Sequence, residues 1–166
     1  QCNNITEIDL PEGVEEIGDW AFQHNNINTV TLRSGLKIIG DEAFGYNEIN
    51  IINIPEGVET IGSEAFQNNG LKEVTIPSSV KHMDWLTHNQ SMTSAQVFSD
   101  VVDIYDEDVD KESGCSIYGH HGSEVSKVWG NEYPGFASEP NVKFIYLDDD
   151  TSGNNNGNTS GSNSGN

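Results

Sequence analysis

The chain has 166 residues and carries 27 acidic against 7 basic side chains, a formal net charge of −20. This length fits one domain or one module of a longer protein. A polyanion repels phosphate backbones and anionic lipid, and no apolar run approaches the roughly 20 residues of a membrane span, so we predict neither nucleic-acid binding nor membrane insertion. The two cysteines, Cys2 and Cys115, are too few for a disulfide scaffold and lack metal-ligand spacing.

The first half of the chain is built from a repeating unit of 22 residues. Full copies span residues 5–22, 27–44 and 49–66, and they share six apolar positions, a glycine and an Ala-Phe pair. A fourth copy covers 71–83 and then decays. Because one copy cannot bury its own apolar edge, the copies are predicted to stack into a solenoid.

Within each copy the pattern is typical of short strands joined by turns. In the first copy, Ile8 and Leu10 share one face of an extended segment, and Pro11 and Gly13 follow as a turn. A second short segment, 14–17, runs back to a glycine and a compact Ala-Phe corner. Strands of stacked coils lie about 4.8 Å apart, so we predict a mainly β solenoid whose four coils extend over about 20 Å.

The recurring pattern I/L-x-x-I/V-x-I-P-x-x-V-x-x-I-G-x-x-A-F-x-x-N resembles that of BspA-type leucine-rich repeats. The resemblance covers residues 5 to about 83 and resumes over 116–145, where 118–123 is similar to the turn that opens the C-terminal cap of such proteins. It implies a non-catalytic module of a secreted or cell-surface protein from bacteria or some parasitic protists. It also implies adhesion to proteins of a host or of neighbouring cells.

We divide the chain into four parts on this pattern. Residues 1–83 are predicted to form four leucine-rich repeat coils, truncated at the N-terminus, and residues 84–114 a degenerate repeat with an acidic loop. Residues 115–150 are predicted to form the C-terminal cap. Residues 151–166 contain only Asn, Gly, Ser and Thr and are predicted to be a flexible linker.

The predicted cap combines a small helix with a strand. Ser123 followed by Glu124 is typical of a helix start, and the apolar spacing that follows predicts a helix over 123–132. Pro134 and the glycine after it end that helix. The β-rich run over 142–147 is predicted to be the last strand.

No group of residues in the sequence predicts catalysis, a metal site or a cofactor. The acidic run 106–112 alternates carboxylates as a calcium loop does, but the sixth and twelfth positions, where such a loop needs Gly and Glu, hold Lys111 and Ile117. The five histidines are interpreted as surface turn residues, and the chain has no Gly-x-Ser-x-Gly nucleophile elbow. We therefore predict that the module is not an enzyme.

The predicted binding surface is the outer face of the first strand in each coil. Side chains at the third and fifth positions of each copy point away from the core, because side chains alternate along a strand. The candidate ligand-binding residues lie at the centre of this face and are Thr29, Thr31, Ile51, Asn53 and Thr75. The competing interpretation is an ordinary strand surface, because β-branched residues favour strands.

Two functions are compatible with the sequence. The first is a non-catalytic protein-binding or adhesion module of a secreted or cell-surface protein, a monomer whose partner is a host-surface or matrix protein. An acidic rim of Glu7, Asp9 and Glu73 favours a basic partner. The second is an accessory or spacer domain of a larger secreted enzyme, which a linker over 151–166 would connect to a further module.

Overall fold

The computed structural model describes residues 4–83, 89, 92–99, 116–120 and 143–147. This part of the chain contains short strands and no helix. In chain order the strands are β1 (Glu7–Asp9), β2 (Glu16–Ile17), β3 (Thr29–Thr31), β4 (Ile38–Ile39), β5 (Thr60–Ile61), β6 (Glu73–Ile76), β7 (His82–Met83), β8 (Ser94–Val97), β9 (Ser116–Gly119) and β10 (Lys143–Tyr146). Because the strands pair in parallel from one coil to the next, the predicted fold class, a mainly β solenoid, is confirmed.

One side of the solenoid is a continuous four-stranded sheet. Strands β2, β4, β5 and β7 pair in that order. The buried side chains Ile17, Ile39, Ile61 and Met83 stand beside one another in its register. Each step along this row is 22 residues, so the period of the sequence becomes the register of the sheet.

The other side, formed by the first strand of each coil, is divided into two sheets. Strand β1 pairs with β3, and a separate sheet runs in the order β6, β8, β9, β10. Between them, residues 51–54 of the third coil form no strand. Buried Ile52 and Ile54 nevertheless alternate with exposed Ile51 and Asn53. The side chains therefore point as predicted, while the continuous sheet expected here is interrupted, because inward and outward alternation does not require the hydrogen bonds of a ladder.

Parallel strands continue beyond the fourth coil. In the register of the second sheet, Glu73 pairs with Ser94, Ser94 with Ser116, and Ser116 with Lys143. These steps are 21, 22 and 27 residues long. Strand β8 therefore adds a strand to the stack within the segment 84–114, which we predicted to be a degenerate repeat.

The last strand predicted from the sequence, over 142–147, is present as β10. The helix predicted over 123–132, the acidic run 106–112, both cysteines and the tail over 151–166 lie outside the described residues. The four-part division of the chain therefore stays a prediction.

A column of aromatic rings occupies the Ala-Phe corners. The rings of Phe22, Phe44 and Phe66 stack with centroid distances of 5.3 and 5.5 Å. Phe44, in the middle, is completely buried, whereas Phe22 in the first coil is half-buried. Stacked pairs of this kind contribute about 0.5–1.5 kcal/mol beyond the burial of their area. The corners of successive coils are thus held together by their side chains.

Asparagines at the end of each copy join one coil to the next. The Asn47 side chain accepts the Ile27 N–H at 3.1 Å and donates to the carbonyls of Phe22 and Phe44, both at 2.9 Å. Asn69 repeats this arrangement one coil later. An amide carries both donors and an acceptor, so one side chain satisfies backbone groups on two coils that would otherwise be buried without a partner.

Candidate binding surface

The structure places the five candidate residues on the outside of the first-strand side. Thr29 and Thr31 lie on β3 and Thr75 on β6, and Ile51 and Asn53 lie on the stretch between these strands. Ile51 is 81% exposed, the largest value among the exposed large hydrophobic residues of the described chain. The structure thus brings the five residues onto one face, although not onto one sheet.

The acidic rim is only partly available to a partner. The register of the first sheet places Glu7 beside Thr29 and Asp9 beside Thr31. Asp9 forms an ion pair with Arg33 at 2.5 Å, and the same guanidinium donates to a backbone carbonyl at 3.1 Å. The carboxylate of Asp9 is therefore already compensated, whereas Glu7 is exposed and belongs to neither ion pair of the described chain.

The outer face also extends further than the sequence analysis indicated. In the register of the second sheet, Thr75 stands beside Gln96, Gln96 beside Tyr118, and Tyr118 beside Ile145. Tyr118 and Ile145 are half-buried. The column that begins as polar side chains thus becomes apolar towards β10. The signal for these residues was the recurrence of strand-like segments at spacings other than 22.

The continuous sheet carries a column of alternating charges on its outside. Lys81 donates to Glu59 at 2.8 Å. This hydrogen bond, followed by the charge of Lys81 and then by the more distant charge of Lys37, holds the pKa of Glu59 below its usual value, against a desolvation that raises it. Unlike charges on neighbouring strands stabilise their pairing, so this column favours stacking more than ligand binding.

The described residues show no arrangement for metal chemistry. Within them, no three His, Cys, Asp or Glu side chains are grouped as metal ligands. Among the described segments, none is a helix of the length and apolar character needed to cross a membrane.

The sequence pattern described as BspA type leucine rich repeat region matches residues 1–98 in six copies. The chain belongs to the BspA-type leucine-rich repeat family. A crystal structure of a leucine-rich repeat protein from Bacteroides ovatus ATCC 8483 is also similar, with 18% sequence identity and a TM-score of 0.43. The similarity covers 85% of this chain and 61% of the Bacteroides chain. No protein with a curated description matches the sequence.

Membership of the BspA-type family has a general functional meaning. Leucine-rich repeats generally mediate interactions between proteins, and repeats of this type are typically non-catalytic. The BspA-type family is known from bacterial surface or secreted proteins. The chain is accordingly a repeat module of the kind that binds other proteins.

Proposed function

We propose that the chain is a non-catalytic adhesion module that binds a protein ligand on its first-strand face, around Ile51. The observation that carries this proposal is the 81% exposure of Ile51 between polar side chains on the same face. Binding energy at protein interfaces is concentrated in a few central groups that lose their water on binding. Stacked coils also offer a wide surface, which suits a macromolecule better than a small molecule.

The charge of the module favours a basic partner. The net charge is −20, and Glu7 and Glu73 are exposed on the two sides of the candidate surface. Complementary charge of this kind speeds association and weakens as salt is added. The family's occurrence in surface and secreted proteins supports a location outside the cell and a host-surface or matrix protein as the ligand. We propose that the module binds it as a monomer.

The test begins by capturing a partner from extracts of host cell surfaces or extracellular matrix. Binding of the purified partner is then measured for the parent chain and for Ile51→Asp. This change places an unpaired charge at the centre of the proposed interface and leaves the inward-facing Ile52 untouched. We expect affinity to fall at least tenfold, which corresponds to about 1.4 kcal/mol.

The matched control is Ile38→Asp, the same chemical change at an exposed isoleucine of the continuous sheet. Urea unfolding of both variants separates lost binding from lost folding. The proposal predicts that Ile38→Asp binds like the parent. If Ile51→Asp is folded and binds the partner as tightly as the parent, the first-strand face is not the binding surface.

A further inference from the structure

Ring side chains are grouped on the outside of the corner in the first two coils. Trp20 is 59% exposed and Tyr46 is 42% exposed. The Tyr46 ring stacks on exposed His24 with 4.4 Å between the centroids. The core beneath is already filled by stacked Phe22 and Phe44. Single apolar residues are ordinary on a protein surface, but the core does not require three ring side chains at one corner.

The backbone does not require these rings either. Trp20, His24 and Tyr46 have φ angles of 57°, 55° and 58°, in the left-handed region that favours glycine and asparagine. The position equivalent to Tyr46 in the third coil holds Asn68, with φ of 50°. Bulky residues are strained in this conformation, and such strain is frequently associated with function. The aromatic residues are thus placed where local structure would select against them.

The same corner carries negative charge without a cation. The carboxylate of Glu42 accepts hydrogen bonds from Trp20 Nε1 at 3.3 Å, from Gln67 Nε2 at 2.8 Å and from Gln23 Nε2. All three donors are neutral. The corner segments 18–24, 40–46 and 62–68 contain four carboxylates and no lysine or arginine. The indole of Trp20 is therefore held beside a carboxylate whose charge these segments do not compensate.

We propose that this corner surface, formed by Trp20, His24, Tyr46 and Glu42, docks an arginine-bearing segment of a basic protein. A guanidinium stacks on aromatic rings and pairs with a carboxylate, so it satisfies both features of the surface at once. An ammonium group offers only a point charge. The net charge of −20 adds long-range attraction for such a partner. This surface is separate from the first-strand face and does not depend on binding there.

The test uses two short peptides, Gly-Arg-Gly-Arg-Gly and its lysine counterpart, titrated into the labelled chain and followed by NMR. The indole N–H of Trp20 reports on the surface directly, because it donates to Glu42. We expect that signal to shift with the arginine peptide, which binds more tightly than the lysine peptide. Trp20→Ala and Tyr46→Asn keep the net charge, and each should weaken arginine-peptide binding about threefold, with about tenfold in the double variant.

The controls separate stacking from simple attraction to a polyanion. Tyr46→Asn introduces the residue that the third coil has at this position, so the fold should tolerate it. Ile38→Ala, on the continuous sheet, should bind the arginine peptide like the parent. Ile51→Asp should retain the Trp20 shift, which keeps this test independent of the first-strand face. The proposal is overturned if the folded double variant keeps the parent's affinity, or if the two peptides bind the parent equally well.

Discussion

The corner side and the first-strand side of the solenoid stack the same repeats in different ways. At the corners, the N–H groups of Phe22 and Phe44 donate to the carbonyls of Ala43 and Ala65, both at 2.8 Å. These bonds recur from the first coil to the third. On the first-strand side, pairing stops after β3 and resumes at β6, and residues 51–54 form no strand. The stack is thus continuous on one side and interrupted on the other.

This difference shows how the repeat separates stability from recognition. The corner contacts use positions that hold the same residue in each of the first three coils: the glycine, the Ala-Phe pair and the asparagine. The outward positions of the first strand differ from coil to coil, as Thr29, Ile51 and Glu73 illustrate. Residues at these positions are free to vary because their side chains point away from the core. We therefore expect changes at the corner to affect folding, and changes on the first-strand face to affect binding.

The largest effect on folding is expected from the buried ring column. Phe44→Ala should lower the free energy of unfolding by about 3–5 kcal/mol, because it opens a cavity between two stacked rings. Phe22→Ala should cost less, since Phe22 is half-buried and has one stacked ring, Phe44, in the described structure. Urea unfolding of the two variants measures the difference. A larger loss for Phe22→Ala would contradict the idea that the stack is held most firmly from its interior.

A smaller effect is expected where neighbouring coils approach most closely. A Cβ at Gly40 would lie 2.6 Å from the backbone nitrogen of Asp19, so Gly40→Ala should destabilise the chain by about 1–3 kcal/mol. The matched control is Gly18→Ala, one coil earlier, where no described atom would lie within 4 Å of the new Cβ. That variant should be neutral or more stable by about 0.4–1 kcal/mol, because alanine restricts the unfolded chain.

Thermal or urea unfolding of both glycine variants tests the sign of this contrast. Equal losses would show that the glycine is needed for the conformation of the turn alone. Opposite signs would show that it is needed for the approach of the next coil.

Much of the architecture could be predicted because the 22-residue period determines both the position and the orientation of each side chain. The inward positions of Ile52 and Ile54, the outward position of Ile51 and the Ala-Phe corner all follow from alternation and stacking. The hydrogen bonds of Asn47 could not be predicted in the same way. The sequence shows that an asparagine recurs, but not that its amide reaches carbonyls on two coils.

The remaining differences arise where the pattern is silent or imperfect. Residues 51–54 have the same alternation as paired strands, so the sequence does not show that their ladder is absent. Strand β8 follows β6 after 21 residues, without the glycine and Ala-Phe residues that mark a copy, and so a search at period 22 misses it. Trp20 and Tyr46 occupy variable positions of the copy, where a repeat analysis averages over the residues that distinguish one coil from another.

The smallest expected effect concerns the charged column on the continuous sheet. Lys81 holds the pKa of Glu59 below its usual value. The contribution of this pair is therefore fully present above the unfolded-state pKa of glutamate, about 4.3, and is lost as the pH falls through the lower folded-state value. Lys81→Met should reduce the urea midpoint at pH 7 slightly, because exposed pairs contribute little and salt screens them.

The control for this variant is Lys72→Met, since removing any cation from a chain of charge −20 also increases self-repulsion. Lys72 takes part in neither of the two ion pairs found among the described residues. The difference between the two midpoints at pH 7 therefore isolates the Lys81–Glu59 pair from the change in net charge. This difference should vanish at pH 3, where Glu59 is protonated in both the folded and the unfolded state. A difference that persists at pH 3, or that is absent at pH 7, would show that the charge column does not help to hold the coils together.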